Sequence, residues 1–303
     1  MDYHVPVLLD QCIEGLNLIP DGVYVDVTFG GGGHSREIYK QLTSGKLIAF
    51  DQDPDAAENA KSFLSNAKRS FVFVQANFRH LARYLRFHGV DQVDGILADL
   101  GVSSHQFDVG ERGFSTRFDG DLNMRMDQGS SKTASEIINT YPESDLVHMF
   151  SYLGDIKNAR SLARVIVQHR SQQLIQSTGQ LRSIAESVAP KGKQAKYLAQ
   201  LFQAIRIEVN EEMEALGEFL LQCGEVIKPG GRLVVMSYHS LEDRPVKNYL
   251  TTGNLKGKQE KDFYGNLERP FDPNPKKPVT PSAEEIERNN RARSAKLRIG
   301  IKR

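Results

Sequence analysis

Gly22-Val23-Tyr24-Val25-Asp26-Val27-Thr28-Phe29-Gly30-Gly31-Gly32-Gly33-His34-Ser35-Arg36-Glu37 begins as an apolar, β-branched run, passes through four consecutive glycines and ends in residues that suit the first turn of a helix. A strand that breaks into a glycine loop ahead of a helix brings backbone N–H groups close to a ligand, because glycine has no Cβ to block the approach. The plain alternative is a tight strand–helix turn with no ligand. Four glycines weigh against it, since they cost backbone entropy and give a core no side chains.

The residues after the loop sharpen the reading. A helical pattern covers Ser35 to Leu42, and Lys46-Leu47-Ile48-Ala49-Phe50-Asp51 reads as a buried strand ending in a carboxylate. An acid at the tip of the second strand, about 20 residues beyond a glycine loop, is where a βαβ unit holds ribose hydroxyls. A dinucleotide is one ligand of that kind, but its fingerprint G-x-G-x-x-G needs a third glycine where the helix packs on the strand. Counted from Gly30 that place is Ser35, and counted from Gly31 it is Arg36. The loop fits S-adenosylmethionine better, because that ligand has no pyrophosphate to cradle.

The pattern continues with a helix from Pro54 to about Asn66, capped by Asp53 or Asp51, and strands at 70–75 and at 93–99. The fold class expected is α/β: a parallel sheet with helices on both faces and a helical insertion. Ligands of such sheets bind beyond the carboxyl ends of the strands, and Gly30–His34, Asp51, Phe78 and Asp99 all fall there. Phe78 reads equally as a ring covering an adenine or as a core residue of the next helix. The alternation then stops. Residues 101–130 form a long polar loop, of a length that is usually functional, and 133–205 read as helices. Strand signals return at 232–237, as a short run at 277–280 and as an antiparallel strand at 296–301, after a helix spanning Glu208 to Ile227 and another over Arg244–Leu250. The division expected is a sheet domain in two parts, 1–104 and 206–303, around a helical insertion at 105–205.

Composition bounds the partners. The net charge of +1 hides an asymmetry: Lys157 to Arg206 holds nine Lys and Arg against Glu186 alone, net +8, which leaves −7 for the rest. The last sixteen residues, from Arg288, add seven Lys and Arg with no acid. Two basic segments on an otherwise acidic chain point to a polyanion, most plausibly nucleic acid; solvated helix faces and a basic tail are the bland alternative. No apolar run approaches the roughly 20 residues that cross a bilayer, Met1–Pro6 has no signal-peptide pattern, and Cys12 and Cys223 each sit in an apolar helical pattern that reads as a buried thiol. These features imply a cytoplasmic location and no membrane partner; they leave a homo-oligomer open.

Several longer motifs resemble one family. They are Thr28-Phe29-Gly30 through Gly32-Gly33-His34-Ser35, Asp51-x-Asp53-Pro54, Asp99-Leu100-Gly101-Val102-Ser103-Ser104-x-Gln106 and Glu111-Arg112-Gly113-Phe114-Ser115. Met124-Arg125-Met126-Asp127, Ser237-Tyr238-His239-Ser240-Leu241-Glu242-Asp243-Arg244 and Arg291-Ala292-Arg293-Ser294-Ala295-Lys296-Leu297-Arg298 complete the set. Together they resemble the ribosomal RNA small-subunit methyltransferase H family, over essentially the whole chain, with departures at Val27, Gly31 and Asn123. The resemblance implies S-adenosylmethionine-dependent methylation of the exocyclic N4 amino group of a cytidine in the decoding region of small-subunit (16S) rRNA, free or in a partly or fully assembled subunit. It implies a Rossmann-like class I methyltransferase sheet with a helical insertion domain, 105–205, that recognises RNA, and cofactor contacts at Gly32, Gly33, His34, Asp51, Phe78, Asp99 and Gln106. Asp99 is the candidate catalytic residue, since an amine whose lone pair is delocalised must have its N–H groups accepted to pyramidalise. A methyl on a sulfonium needs no metal. Tyr238 and His239 are candidates for a platform under an extruded base, with a structural histidine the equal alternative for His239. A methyltransferase of proteins or small molecules, an RNA-binding module and a nicotinamide oxidoreductase each leave out one of these features.

Overall fold

The computed structural model describes residues 6–65 and 70–303, without the side chain of Ser104. The lead-in residues His4 and Val5 and the expected helix end at Asn66 lie outside the described residues. The chain divides into two compact units. One runs up to Gly101 and resumes over Met213–Arg303; the other is Val102–Glu212. The divisions expected from the sequence were 104/105 and 205/206.

The first unit is built on seven strands among the described residues: β1 (Val23–Asp26), β2 (Lys46–Asp51), β3 (Ser70–Gln75), β4 (Val93–Asp99), β5 (Ile227–Ser237), β6 (Phe271–Pro273) and β7 (Lys296–Lys302). Their order is β3-β2-β1-β4-β5-β7-β6. The first five pair parallel, and β7 runs antiparallel to both β5 and β6. The helices are α1 (Leu9–Leu16), α2 (Gly33–Gln41), α3 (Pro54–Ser65), α4 (Leu81–Phe87), α11 (Glu212–Val226), α12 (Ser240–Thr252) and α13 (Ala283–Arg288), the numbers α5–α10 falling in the second unit.

Period-two alternation decides which side chains face which helix layer. Val25, Ile48, Phe50, Ile96, Ala98 and Val235 point to one face, under Leu85 of α4, Phe219 and Cys223 of α11, and Tyr249 of α12. Tyr24, Leu47, Ala49, Leu97, Val234 and Met236 point to the other, under Cys12 of α1, Ile38 of α2 and Phe63 of α3. The two cysteines are free and buried, as read from the sequence, and lie on opposite faces of the sheet. The strands are apolar on both sides because both sides are covered. The outer β6 was missed: three residues with a proline give little periodicity. The expected strand at 277–280 reduces to one bridge, Val279 to Leu297.

The second unit comprises α5 (Ser104–Asp108), α6 (Ala134–Thr140), α7 (Glu143–Tyr152), α8 (Ala159–Arg170), α9 (Thr178–Glu186) and α10 (Gln194–Asn210). Ile137, Phe150, Leu162, Ile166, Leu181, Leu201 and Ile205 give it a core of its own. Three of its helices, α5, α6 and α9, start where a side chain caps them: Thr133 accepts from Glu136 N, and Ser103 and Ser177 form capping boxes with Gln106 and Gln180. The helix expected from Glu208 to Ile227 is instead two. α10 continues to Asn210, Glu211 turns left-handed at φ 49°, and α11 follows. The long loop is held from α10: Asn210 Oδ1 accepts from Met126 N at 2.7 Å while its Nδ2 donates to Met124 O at 2.8 Å.

Candidate active site

The site is assembled where β1 ends. Beyond Asp26 the chain stays between its neighbours, Val27 N donating to Leu97 O and Phe29 N to Phe50 O, both at 2.9 Å. It then turns through Gly30, at φ 51°, and Gly32, at φ 74°, into α2. The glycines answer to packing as well as to ligand approach. A Cβ on Gly32 would sit 2.8 Å from the Phe29 ring, and one on Gly33 would collide with Cγ of Pro6. At Gly32 the left-handed backbone adds its own requirement.

Three carboxyl groups lie at the carboxyl ends of β1, β2 and β4, each tied to the loop. Asp26 is fully buried; its Oδ2 accepts from Ser35 Oγ at 2.7 Å and its Oδ1 from Thr28 N at 3.1 Å. Asp51 accepts from Gly30 N at 2.8 Å through Oδ2 and from Asp53 N at 2.9 Å through Oδ1. Those two bonds use about half of a carboxylate's acceptor capacity and leave the rest for hydroxyl donors. Asp99 receives the Tyr238 hydroxyl on Oδ1 at 2.9 Å, and its backbone N–H donates to Thr28 Oγ1 at 2.7 Å. Its Oδ2 stands 4.0 Å from His34 Nδ1. His34 is 5% exposed, and among the described residues its Nε2 has no hydrogen-bond partner.

Burial sets the electrostatics, since taking a carboxylate out of water favours its neutral form. Desolvation raises Asp51 to about 6, against the pull of the Asp53 and Gly30 N–H groups. Desolvation also raises Asp99 to about 6, partly offset by His34 and by the Tyr238 hydrogen bond. Asp26 is raised by burial too, with His34 opposing. The Tyr238 phenol is pushed up, by burial and then by Asp99, so it stays a proton donor to that carboxylate.

The remaining sequence candidates fall as follows. Phe78 opens a single 3₁₀ turn, Phe78–His80, is half-buried and meets the Phe219 ring edge-on at 5.2 Å, so it packs on the core whatever its outer face does. Gln106 belongs to the second unit, where its side chain closes a capping box: Ser103 N donates to Gln106 Oε1 at 3.0 Å and Gln106 N to Ser103 Oγ at 3.2 Å. His239 caps α12, with Nδ1 accepting weakly from Glu242 N at 3.4 Å, and its Nε2 lies 3.0 Å from Glu242 Oε1. That is the structural alternative for this histidine. Tyr238 N donates to Glu242 Oε2 at 2.9 Å, which fixes the segment carrying the Asp99-bonded ring. Asp26, Thr28 and Ser35 were not singled out from the sequence, although Thr28 and Ser35 stand inside the motif. The signal available was an acid in an otherwise apolar strand directly ahead of the glycines.

The MraW methylase family model matches residues 1–303. The chain is 55% identical over 297 residues to the ribosomal RNA small subunit methyltransferase H of Cytophaga hutchinsonii, covering 98% of each chain. The protein of the same name from Christiangramia forsetii is 55% identical over 306 residues, covering 100% of this chain and 98% of its own. That from Bacteroides thetaiotaomicron is 53% identical over 304 residues, with the same coverage. The glycine loop leading into α2, the carboxylates at the strand ends and a match from end to end agree: the chain belongs to the MraW methylase family and is an S-adenosylmethionine-dependent methyltransferase.

Proposed function

We propose that the chain methylates the exocyclic N4 amino group of a cytidine in the decoding region of small-subunit (16S) rRNA, in the cytoplasm, on free RNA or on a partly or fully assembled subunit. The observation that carries the chemical part of this reading is Asp99 at the end of β4, held on Oδ1 by Tyr238 and facing His34. The relatives' name supports the RNA part.

The residues present fit the cofactor. Asp51 keeps acceptor capacity for a ribose beyond its two loop bonds, and the buried Nε2 of His34 is a polar atom still to be satisfied. In this reading Asp51 accepts the ribose hydroxyls, the Gly32–His34 segment lies along the ligand, and the outer face of Phe78 covers the adenine. Gln106 keeps its capping role. S-adenosylmethionine, when bound, supplies a methyl group on a sulfonium, a good leaving group. Asp99 and the carbonyls of Asp99-Leu100-Gly101 accept the amino hydrogens of the base, so that the nitrogen lone pair leaves the ring system and can be aimed at the methyl carbon. Tyr238 holds the carboxylate in place and keeps it ionised. The exposed cations of the second unit, among them Arg160, Arg164, Lys191, Lys193 and Lys196, take the RNA phosphates.

Mapping of modified cytidines in rRNA from cells with and without the gene tests this. One N4-methylated cytidine is expected to disappear from the small-subunit RNA. An unchanged modification pattern contradicts the reading.

A further inference from the structure

The turn at the tip of the segment joining α12 to β6 is built to hold two aromatic rings in water. Phe263 is 98% exposed and Tyr264 is 86% exposed, and their rings meet edge to face at 5.7 Å. Their position is fixed from beneath. Asp262 Oδ1 accepts from Tyr264 N at 2.9 Å and from Asn266 N at 2.8 Å, while Oδ2 accepts from the Asn266 amide at 3.0 Å. Gly265 completes the turn at φ 85°, and Lys261 bridges to Leu267 below it. A tight turn stabilised this fully has no packing need for two rings at its apex, since neither ring joins a core.

Charges of both signs lie near the tip, Glu260 and Glu268 among them. Lys256, Lys258 and Lys261 are exposed on the approach to it. The chain's last residue is tied to the same loop: Arg303 donates to Leu267 O through its guanidinium and to Pro270 O through its backbone, both at 3.0 Å. From Arg244 to Lys277 the sequence holds eight Lys and Arg against four acids, a net of +4, and one of those acids, Asp262, has both oxygens bonded within the turn. The place is remote from the methylation chemistry. β7 starts opposite Ser237, near Asp99, and reaches Arg232 by Ile301, just before the residues that hold the loop. Five residues of strand put the tip on the order of 17 Å or more from that edge.

We propose that Phe263 and Tyr264 form a stacking platform for unpaired bases of the RNA substrate, with Lys256, Lys258 and Lys261 on the adjoining phosphates. The proposal rests on the RNA reading given above. Exposed rings flanked by flexible cations are the elements by which proteins hold single-stranded nucleic acid without reading its sequence, since every base offers a π-face. A grip at this distance from Asp99 anchors a long RNA and leaves the target base free to enter the site.

The chain has no tryptophan, so Tyr264→Trp introduces a single reporter. Its emission is expected to be quenched on titration with a single-stranded fragment of small-subunit rRNA. In a second measurement, Phe263→Ala/Tyr264→Ala is expected to raise the RNA dissociation constant about fivefold or more, the loss of at least one stacked base. The same double variant should raise KM for RNA with kcat and S-adenosylmethionine affinity unchanged, and Phe263→Trp/Tyr264→Ala should bind RNA more tightly than the double-alanine variant. Wild-type RNA affinity combined with unquenched emission and an unchanged dissociation constant overturns the platform and leaves the RNA reading standing. A wild-type protein with no affinity for the RNA overturns both. Quenching by whole small subunits but not by naked RNA overturns the platform in favour of a contact with protein.

Discussion

Residue by residue, the reaction needs charge on two aspartates, Asp51 and Asp99, that burial pushes toward neutrality. Asp51→Asn removes the charge and leaves one carbonyl oxygen where two oxygens accept from Gly30 N and Asp53 N; S-adenosylmethionine affinity should fall by about 1–3 kcal/mol by calorimetry, with a drop in thermal midpoint from the one loop bond lost. Unchanged affinity would remove Asp51 as the ribose acceptor. Asp99 sits near 6 because it is buried, and an acceptor of amino hydrogens must be ionised. The methylation rate should therefore rise through pH 6 and level off above it. The Tyr238 bond holds the Asp99 value down, so Tyr238→Phe should move that acid limb to higher pH. A limb that stays put would show that another group titrates there. The stability effect has the opposite sense. Raised carboxyl pKa values favour the fold at low pH, and that contribution is lost as pH climbs through about 6, so ionised Asp51 and Asp99 are held at the expense of stability. Gly32 carries a structural demand of its own: Gly32→Ala forces a side chain to φ 74° against the Phe29 ring and should lower the stability of the cofactor-free protein by about 1–2 kcal/mol. Among these residues the glycines, Asp51 and Asp99 were legible in the sequence, because each stands at the end of an apolar run. The Thr28 and Tyr238 bonds to Asp99 were not, because they join residues 71 and 139 apart that only the sheet order brings together.

At the scale of elements, strands were legible where both faces are buried and helices where an apolar stripe recurs. β2, β3 and β4 and the helices α2 and α3 emerged within a residue or two for that reason. The failures have local causes. Nothing in Arg206–Glu212 is a glycine or a proline, yet the helix breaks at Glu211. Asn210 there uses its side chain to hold the backbone at Met124 and Met126, a link across more than 80 residues. Asn210→Ala would leave both backbone groups without that partner and should destabilise the second unit by about 1–3 kcal/mol, read by denaturant unfolding. A smaller loss would mean that solvent reaches those groups. β5 begins five residues earlier than expected because Pro229-Gly230-Gly231 is absorbed as an irregularity in its pairing with β4 rather than ending the preceding helix. α12 likewise starts four residues early, at Ser240, with Pro245 inside it.

At the scale of the whole molecule, charge is unevenly spread, and the structure sorts the cations that the sequence could only count. Arg170 donates to Ile138 O and Tyr141 O at 2.7 and 2.6 Å, and Arg206 pairs with Glu212 at 2.7 Å, so both serve the fold of the second unit. Arg160, Arg164 and Lys193 are exposed. Replacing these three with Gln should weaken RNA binding and reduce its salt slope by roughly 0.7–0.9 for each phosphate no longer neutralised, with cofactor affinity unaffected. An unchanged slope would mean that these side chains are only solvated. No described helix is long and apolar enough to cross a membrane. The central claim is that this chain transfers a methyl group from S-adenosylmethionine to N4 of a cytidine in small-subunit rRNA. Its most direct test is incubation of the purified protein with unmodified small subunits, or their RNA, and S-adenosylmethionine carrying an isotopically labelled methyl group, followed by nucleoside mass spectrometry. Label is expected in N4-methylcytidine alone, and none with Asp99→Ala. Label on C5 of cytosine, on another nucleoside or on protein would contradict it.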